Sequence, residues 1–188
     1  MNIKTMTRVA LCVAILCISS YIAFPLPFTP ILITAQTVIV NLVALILTPL
    51  QSFAALGTYF ALGLCGLPVF SGGTGGIGKL FSPTGGFCIG FIVAAVLISL
   101  LKGKNNQLRR YIPVTIFVGI PVIYAFAVLF MCVFQQADLR TALLTVALPF
   151  LLGDTLKCIA ASFLAVALKD VYKRQPLSPL ERSSIPST

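Results

Sequence analysis

Histidine is absent from this 188-residue sequence, and acidic side chains are nearly so. The four acidic residues are Asp138, Asp154, Asp170 and Glu181. So few charges cannot keep the surface of a soluble monomer hydrated, and 59% of the residues are apolar, against about 45–50% in soluble domains. The mean hydropathy is +1.06. The composition therefore predicts a membrane protein that crosses the bilayer several times.

The missing histidine and the scattered cysteines also exclude whole classes of site. Metal binding needs clustered soft ligands, and no two cysteines form a C-x-x-C pair. The six cysteines are Cys12, Cys17, Cys65, Cys88, Cys132 and Cys158. We expect them to be small, buried apolar side chains, and we expect neither a metal nor a cofactor. A membrane enzyme, such as an acyl or prenyl transferase, would need a second intramembrane acid, a histidine or an acidic metal-binding pair.

Apolar windows of about 20 residues, the length that crosses a bilayer, predict an all-α integral membrane fold with six transmembrane helices. The predicted spans are residues 9–27, 32–49, 51–66, 85–101, 112–134 and 149–169. The first span resembles a secretory signal, because Lys4 and Arg8 precede its apolar core. No A-x-A-like cleavage site follows it, so we expect a retained helix.

The net charge of +9 is distributed according to membrane topology. The loops and ends assigned to one side carry Lys4, Arg8, Lys102, Lys104, Arg109, Arg110, Lys169, Lys173 and Arg174. The alternate loops carry only Lys79 and Arg140. This positive-inside pattern predicts that both termini are cytoplasmic. The basic excess therefore sets orientation, and we expect no nucleic-acid partner.

Two segments do not fit the pattern of spans. Residues 138–148, DLRTALLTVAL, are too short to cross and begin with charges, so we expect a short interfacial or partly re-entrant helix. Residues 171–188 are polar and rich in proline and serine, which predicts a disordered tail. A non-native addition is the alternative origin of this segment. The membrane domain is accordingly residues 1–170.

Eight glycines lie between Gly72 and Gly90, most of them in the external loop between spans three and four. The run GTGGIGKL, Gly73 to Leu80, has the spacing of a phosphate-binding loop, but Leu80 stands where that loop requires Ser or Thr. A flexible loop is one explanation. The other is a lid over a ligand, in which the backbone at Gly73, Gly75 and Gly76 approaches closely and its N–H groups form an anion-binding nest.

The segment GDTLK places two opposite charges inside the last span. Asp154 is the only acidic residue within a predicted span, and Lys157 is the only basic residue well within one. Intramembrane ionisable groups usually serve function, and the i, i+3 spacing puts both on one helix face. A mutually neutralising structural pair is one interpretation. The sharper one is a clamp for a cyclic urea or amide, whose N–H groups meet the carboxylate while its carbonyl meets the ammonium.

Other polar or small residues give weaker signals. Thr34 and Gln36 lie at the start of span two, and both side chains point inward only if the helix is locally unwound there. Tyr59, in span three, is a further candidate for contact with a ligand. Ala10 and Ala14 in span one have the small-x-x-x-small spacing that lets another helix approach closely.

These features occur in a specific order along roughly residues 5–170: A-x-x-x-A, PLPFTP…TAQT, GLPVFSGGTGGIGKLFSPTGGFCIGF and LPFLLGDTLK. The order resembles the BioY family, the biotin-binding S components of energy-coupling factor (ECF) transporters. The resemblance implies a six-helix fold in a prokaryotic cell membrane with an external pocket for biotin. It also implies docking on an ECF module of one transmembrane coupling subunit and two ABC ATPases, so that ATP is hydrolysed in partner chains and this chain is not an enzyme.

The resemblance also implies roles for individual residues. Asp154, Lys157 and Gln36 map onto pocket positions of the family, and Ala10 and Ala14 map onto the alanine motif that contacts the coupling subunit. Lys79 departs from the family pattern; it either attracts the valerate carboxylate of biotin or is a solvated loop charge. An S component for another vitamin is the main alternative, because the fold is shared. A purely structural membrane protein would leave Asp154 and Lys157 unexplained.

Overall fold

The protein folds mainly into helices, with one short hairpin near its N-terminus. The computed structural model describes residues 2–26, 29–82, 84–103 and 106–174. In these ranges the α-helices are α1 (Ile3–Ser19), α2 (Gln36–Ile46), α3 (Pro49–Leu64), α4 (Gly85–Leu101), α5 (Leu108–Val114), α6 (Ile120–Phe134), α7 (Leu139–Val146) and α8 (Leu151–Arg174). The strands β1 (Ala23–Leu26) and β2 (Thr29–Thr34) form an antiparallel pair.

The hairpin corrects the predicted ends of the first two spans. We expected helix over residues 9–27 and 32–49, but α1 ends at Ser19 and α2 begins only at Gln36. Pro25 lies in β1, and a proline both lacks the N–H of the helical ladder and disfavours helix in the residue before it. The chain between the two helices therefore pairs with itself as strands.

The third and fourth predicted spans agree closely with the observed helices. Pro49 occupies the first turn of α3, and Thr48 and Gln51 form a reciprocal capping box there. Helix α4 has the predicted bounds of 85–101. Gly86 lets α4 approach α6 closely, because a Cβ added at that position would lie 2.6 Å from the carbonyl oxygen of Phe126.

The predicted fifth span is a continuous helical segment that contains a π-helical turn. α5 runs into the π-helical segment Thr115–Gly119, which runs into α6. Pro121 follows two residues later and has no N–H to donate to the carbonyl of residue 117. The π turn widens the hydrogen-bond ladder just before this proline.

The C-terminal third contains the short helix α7 and the long helix α8. The side chain of Asp138 accepts a hydrogen bond of 3.2 Å from the backbone N–H of Arg140, which caps α7. A helix within 138–148 was predicted, and it is present. Helix α8 continues through Arg174, about one helical turn past the predicted start of the tail at residue 171. Residues 175–188 lie outside the described residues.

Two described helical segments are long and apolar enough to cross a membrane, Leu108–Phe134 and Leu151–Val171. Two further apolar helices, α2 and α4, are shorter. The number of crossings therefore stays a prediction beyond these two segments. Many large apolar side chains on the helices are exposed, among them Phe117 at 76% and Leu152 at 83%. Such a surface fits lipid better than water.

Lys102 is buried at the end of α2 that lies away from Gln36. Its ammonium donates 2.9 Å to the carbonyl oxygen of Ala44 and also to that of Leu47. A cation is favourable at a helix C-terminus because the last carbonyls lack partners. Burial, with a smaller contribution from the charge of Lys169, lowers the pKa of Lys102 to about 7. This contact connects α2 to the end of α4.

Candidate functional site

The cavity that contains the predicted clamp lies where the hairpin, the glycine-rich loop and the first turns of α2, α4 and α8 meet. Four residues predicted to bind ligand line it: Thr34, Gln36, Asp154 and Lys157. Four aromatic rings complete much of the wall: Phe70, Phe87, Phe91 and Phe150. The free volume is about 30 Å³, enough for roughly one water, whereas small-molecule sites measure about 300–1,000 Å³. A vitamin-sized ligand therefore requires the walls to move apart.

Asp154 and Lys157 form the predicted pair on one face of α8. The Lys157 ammonium lies 2.9 Å from the Oδ1 atom of Asp154. Asp154 is only 5% exposed, and a buried carboxylate is tolerated only when it is paired and hydrogen-bonded. The pair presents an acceptor and a donor side by side at the cavity wall.

A third member of this cluster was missed from the sequence. The hydroxyl of Tyr124, on α6, donates a 2.8 Å hydrogen bond to the Oδ2 atom of Asp154. The signal available was a tyrosine inside an otherwise apolar span, since a buried tyrosine hydroxyl usually finds a partner. Which partner it finds depends on how α6 packs against α8, and the linear sequence does not specify that.

Thr34 and Gln36 point into the cavity together because they do not share a helix. Thr34 is the last residue of β2 and Gln36 is the first residue of α2. The local unwinding that the sequence required is thus the transition from hairpin to helix. Both residues are buried, at 7% and 1% exposure.

Tyr59 does not line the cavity but supports it from behind. Its hydroxyl accepts a 2.6 Å hydrogen bond from the side-chain amide of Gln36 and donates a 2.8 Å bond to the carbonyl of Val69. Ser71 donates to the amide oxygen of Gln36 at 3.3 Å. Tyr59 therefore links α2 and α3 to the loop. Direct contact between Tyr59 and a ligand stays a prediction.

The glycine-rich loop packs against its own protein. Gly72 donates its backbone N–H to Ser20, Gly73 to Phe70, and Gly76 to Gly63, each at the carbonyl oxygen. These N–H groups are therefore not free to form the predicted anion nest. Gly73, Gly75 and Gly76 do not line the cavity, and their contact with a ligand stays a prediction.

The need for glycine in this loop is steric at one position and conformational at others. A Cβ at Gly75 would lie 2.2 Å from the carbonyl oxygen of Leu67, so no side chain fits there without backbone movement. Gly73 and Gly76 have φ of +70° and +94°, values that other residues rarely adopt. The close backbone approach that we predicted toward a ligand is, in the structure, an approach to the loop's own backbone.

Lys79 and the two alanines lie outside the cavity. Lys79 is half-buried in the 3-10 helix Ile77–Phe81 and does not line the cavity. Its predicted role toward a carboxylate stays a prediction. Ala10 and Ala14 are exposed on α1, outside the buried stripe that contains Val9 and Val13. Another helix could approach that face.

The cysteines are only partly as expected. Cys12 and Cys158 are buried, but Cys65 is exposed at the end of α3, where the chain turns into the loop. Among the residues that the structure describes, no three metal-ligating side chains come together.

Comparison with known proteins gives a consistent result. The model of the BioY family matches residues 1–174. Biotin transporter BioY2 of Lactococcus lactis subsp. cremoris is 37% identical over 169 residues, which cover 89% of this chain and 91% of that protein. Biotin transporter BioY of Thermotoga maritima is 33% identical over 166 residues, covering 88% and 96% respectively.

A solved structure shares the fold. The crystal structure of the S-component for biotin from an ECF-type ABC transporter aligns with a TM-score of 0.80 at 26% identity, over 89% of this chain and 92% of that chain. The family match covers nearly all described residues, and the relatives align over most of their own length. This chain is therefore a member of the BioY family.

Proposed function

We propose that this chain is the membrane subunit that binds biotin with high affinity for an ECF-type ABC importer. Membership of the BioY family supports this function, as does the chemistry of the cavity. The observation that carries the proposal is the ion pair at the cavity wall between the buried Asp154 carboxylate and the partly buried Lys157 ammonium, 2.9 Å apart. The chain captures and delivers its substrate and catalyses no reaction itself.

The pair matches one edge of the ureido ring of biotin. Such an edge presents an N–H donor beside a carbonyl acceptor, and Asp154 and Lys157 present the complementary acceptor and donor. Thr34 and Gln36 add polar groups at the same wall. The aromatic rings around them, such as Phe70 and Phe91, provide apolar surface for the thiophane ring and the valerate chain.

Binding would require the cavity to widen at the glycine-rich loop. Phe70 and Ser71 belong to this loop and line the cavity, whereas the wall opposite is formed by helices. Gly63 accommodates the Phe70 ring, because a Cβ there would lie 2.2 Å from it. We infer that the loop is a lid that carries Phe70 outward when biotin enters, and that Lys79 and the loop glycines approach the ligand only in that rearranged form.

The topology of the proposal is that of a six-span protein in the plasma membrane of a prokaryote. The two long apolar segments and the exposed apolar side chains support residence in a membrane. The excess of basic residues on one side supports cytoplasmic termini. With that orientation the cavity and the lid face the outside, where biotin is captured.

The partners of the proposal are an ECF transmembrane coupling subunit and two ABC ATPases, with membrane lipid around them. The exposed face of α1 that carries Ala10 and Ala14 would contact the coupling subunit, because small residues permit close helix packing. ATP would be hydrolysed in the ATPases. The proposal includes no bound cofactor and no nucleic acid.

Calorimetric titration of the purified, detergent-solubilised protein with biotin tests the function. Thiamine and riboflavin serve as controls, because an S component for another vitamin is the principal alternative. We expect a tight, saturable signal with biotin alone. Binding of thiamine or riboflavin without binding of biotin would show that the substrate is another vitamin. No binding of any of the three would contradict the proposed transport function.

A further inference from the structure

Tyr124 connects the candidate site to a second helix. It lies on α6, is 8% exposed, and reaches the Asp154 carboxylate on α8 through a 2.8 Å hydrogen bond. Its ring lines a separate apolar groove of about 500 Å³ between α6 and α7, together with Val128 and Leu143. The ring is thus held in apolar surroundings while the hydroxyl alone contacts the site.

The two partners of the carboxylate constrain it differently. Lys157 is on the same helix as Asp154, three residues away, so their ion pair moves with α8 and fixes nothing relative to the other helices. The hydroxyl of Tyr124 comes from α6. It therefore fixes the side-chain torsion angles of Asp154, and so the direction in which the carboxylate points relative to the helices around the cavity.

The bonding pattern leaves acceptor capacity on the carboxylate for a ligand. An ionised carboxylate has about four lone-pair positions. Tyr124 occupies one on Oδ2 and Lys157 occupies one on Oδ1, so each oxygen keeps one. Asp154 and Lys157 line the cavity, whereas Tyr124 does not. The tyrosine thus binds the carboxylate from outside the cavity and leaves the cavity side free.

We propose that Tyr124 is a positioning residue for ligand binding: it orients the Asp154 carboxylate toward the N–H donor of the ligand without touching the ligand. This inference rests on the proposed function, because it assigns the ureido ring of biotin as the group that Asp154 meets. A purely structural role would instead stabilise the fold and affect every ligand equally.

A double-mutant cycle separates these roles. Tyr124→Phe keeps the ring in the apolar groove and removes only the donor, so biotin affinity should fall about tenfold. In the Asp154→Asn background the same substitution should change affinity less than about twofold, because the group through which it acts is gone. Tyr111→Phe is the matched control: that hydroxyl accepts from Lys169, far from the cavity, and its loss should leave binding unchanged.

A biotin analogue methylated on its ureido nitrogens gives a second readout. It cannot donate to Asp154, so Tyr124→Phe should not weaken its binding further, whereas a structural defect would. If Tyr124→Phe folds poorly, Tyr124→Met fills the same apolar space without a donor and enters the same cycle.

The outcomes distinguish failure of the positioning role of Tyr124 from failure of the proposed biotin-binding function. If wild type does not bind biotin, the proposed function fails. If wild type binds and Tyr124→Phe binds equally well, only the positioning role is overturned. An equal loss of affinity in both backgrounds, or with both ligands, also overturns it.

Discussion

The side-chain amide of Gln36 donates a 2.6 Å hydrogen bond to the hydroxyl of Tyr59, which joins the start of α2 to the middle of α3. The same hydroxyl donates 2.8 Å to the carbonyl of Val69, where the glycine-rich loop begins to cover the cavity. Ser71 completes the link from the loop back to Gln36. Gln36 thus lines the cavity and also helps to hold the proposed lid in place. Tyr59 connects these two roles, because it bonds both to Gln36 and to the start of the loop.

Removing the hydroxyl in Tyr59→Phe should loosen this anchor. We expect biotin to dissociate faster by at least roughly two- to tenfold, because each of the two hydrogen bonds that the hydroxyl makes is worth about 0.5–1.5 kcal/mol. Release of labelled biotin into excess unlabelled ligand measures the rate. Tyr111→Phe is the control, because the Tyr111 hydroxyl is bound by Lys169 and Tyr111 does not line the cavity. An unchanged dissociation rate would show that the lid does not depend on Tyr59.

Substitution of the clamp carboxylate should abolish tight binding while the protein remains folded. Asp154→Asn leaves the partly buried Lys157 ammonium without its ion-pair partner and removes the charged acceptor for the ureido N–H. A hydrogen bond to a charged group is worth about 1.5–3 kcal/mol, so affinity should fall about ten- to hundredfold in calorimetry. Asp138→Asn, at the exposed start of α7, is the control. Unchanged affinity in Asp154→Asn would contradict the clamp.

The glycine-rich loop allows a matched test of close packing. Gly75→Ala places a Cβ 2.2 Å from the Leu67 carbonyl oxygen, whereas a Cβ at Gly78 meets nothing within 4 Å. Gly75→Ala should therefore lower stability by about 1–3 kcal/mol and Gly78→Ala should not. Thermal melting of both variants in the same detergent compares them. Equal melting temperatures would mean that the loop adjusts freely.

The coupling surface can be tested separately from ligand binding. Ala10→Trp places a bulky ring on the exposed face of α1, so the helix of a coupling subunit could no longer approach closely. We expect uptake of biotin in cells that carry the ECF module to be lost, while calorimetry shows unchanged binding. Phe117→Trp, at a 76% exposed position on another helical segment, should affect neither. Intact uptake in Ala10→Trp would exclude this face as the contact.

Local signals in the sequence were sufficient for several parts of the fold and site. The bounds of α4 follow from an apolar run between glycines and Lys102, and the Asp154–Lys157 pair follows from the three-residue spacing on one helix. Each of these depends on residues within a few helical turns of one another, so a periodic pattern is enough to reveal it.

The hairpin of β1 and β2 could not be predicted from such local patterns. Strand β1 and the second half of β2 were included in predicted spans because residues 20–34 are largely apolar, and hydropathy does not separate a strand from the end of a helix. The strand pairing, for example Ala23 with Thr34, forms between segments that no local signal identifies as partners.

The sequence by itself determined the membrane character of this protein, most of its helices and the paired charges on α8, because each depends on composition or on helical spacing. Only the tertiary structure decided that Tyr124 holds Asp154 and that Tyr59 supports Gln36 from behind the cavity. Those contacts join different helices, and their partners are set by how the helices pack. The size of the cavity was decided in the same way, because its walls come from the hairpin, the loop and three helices.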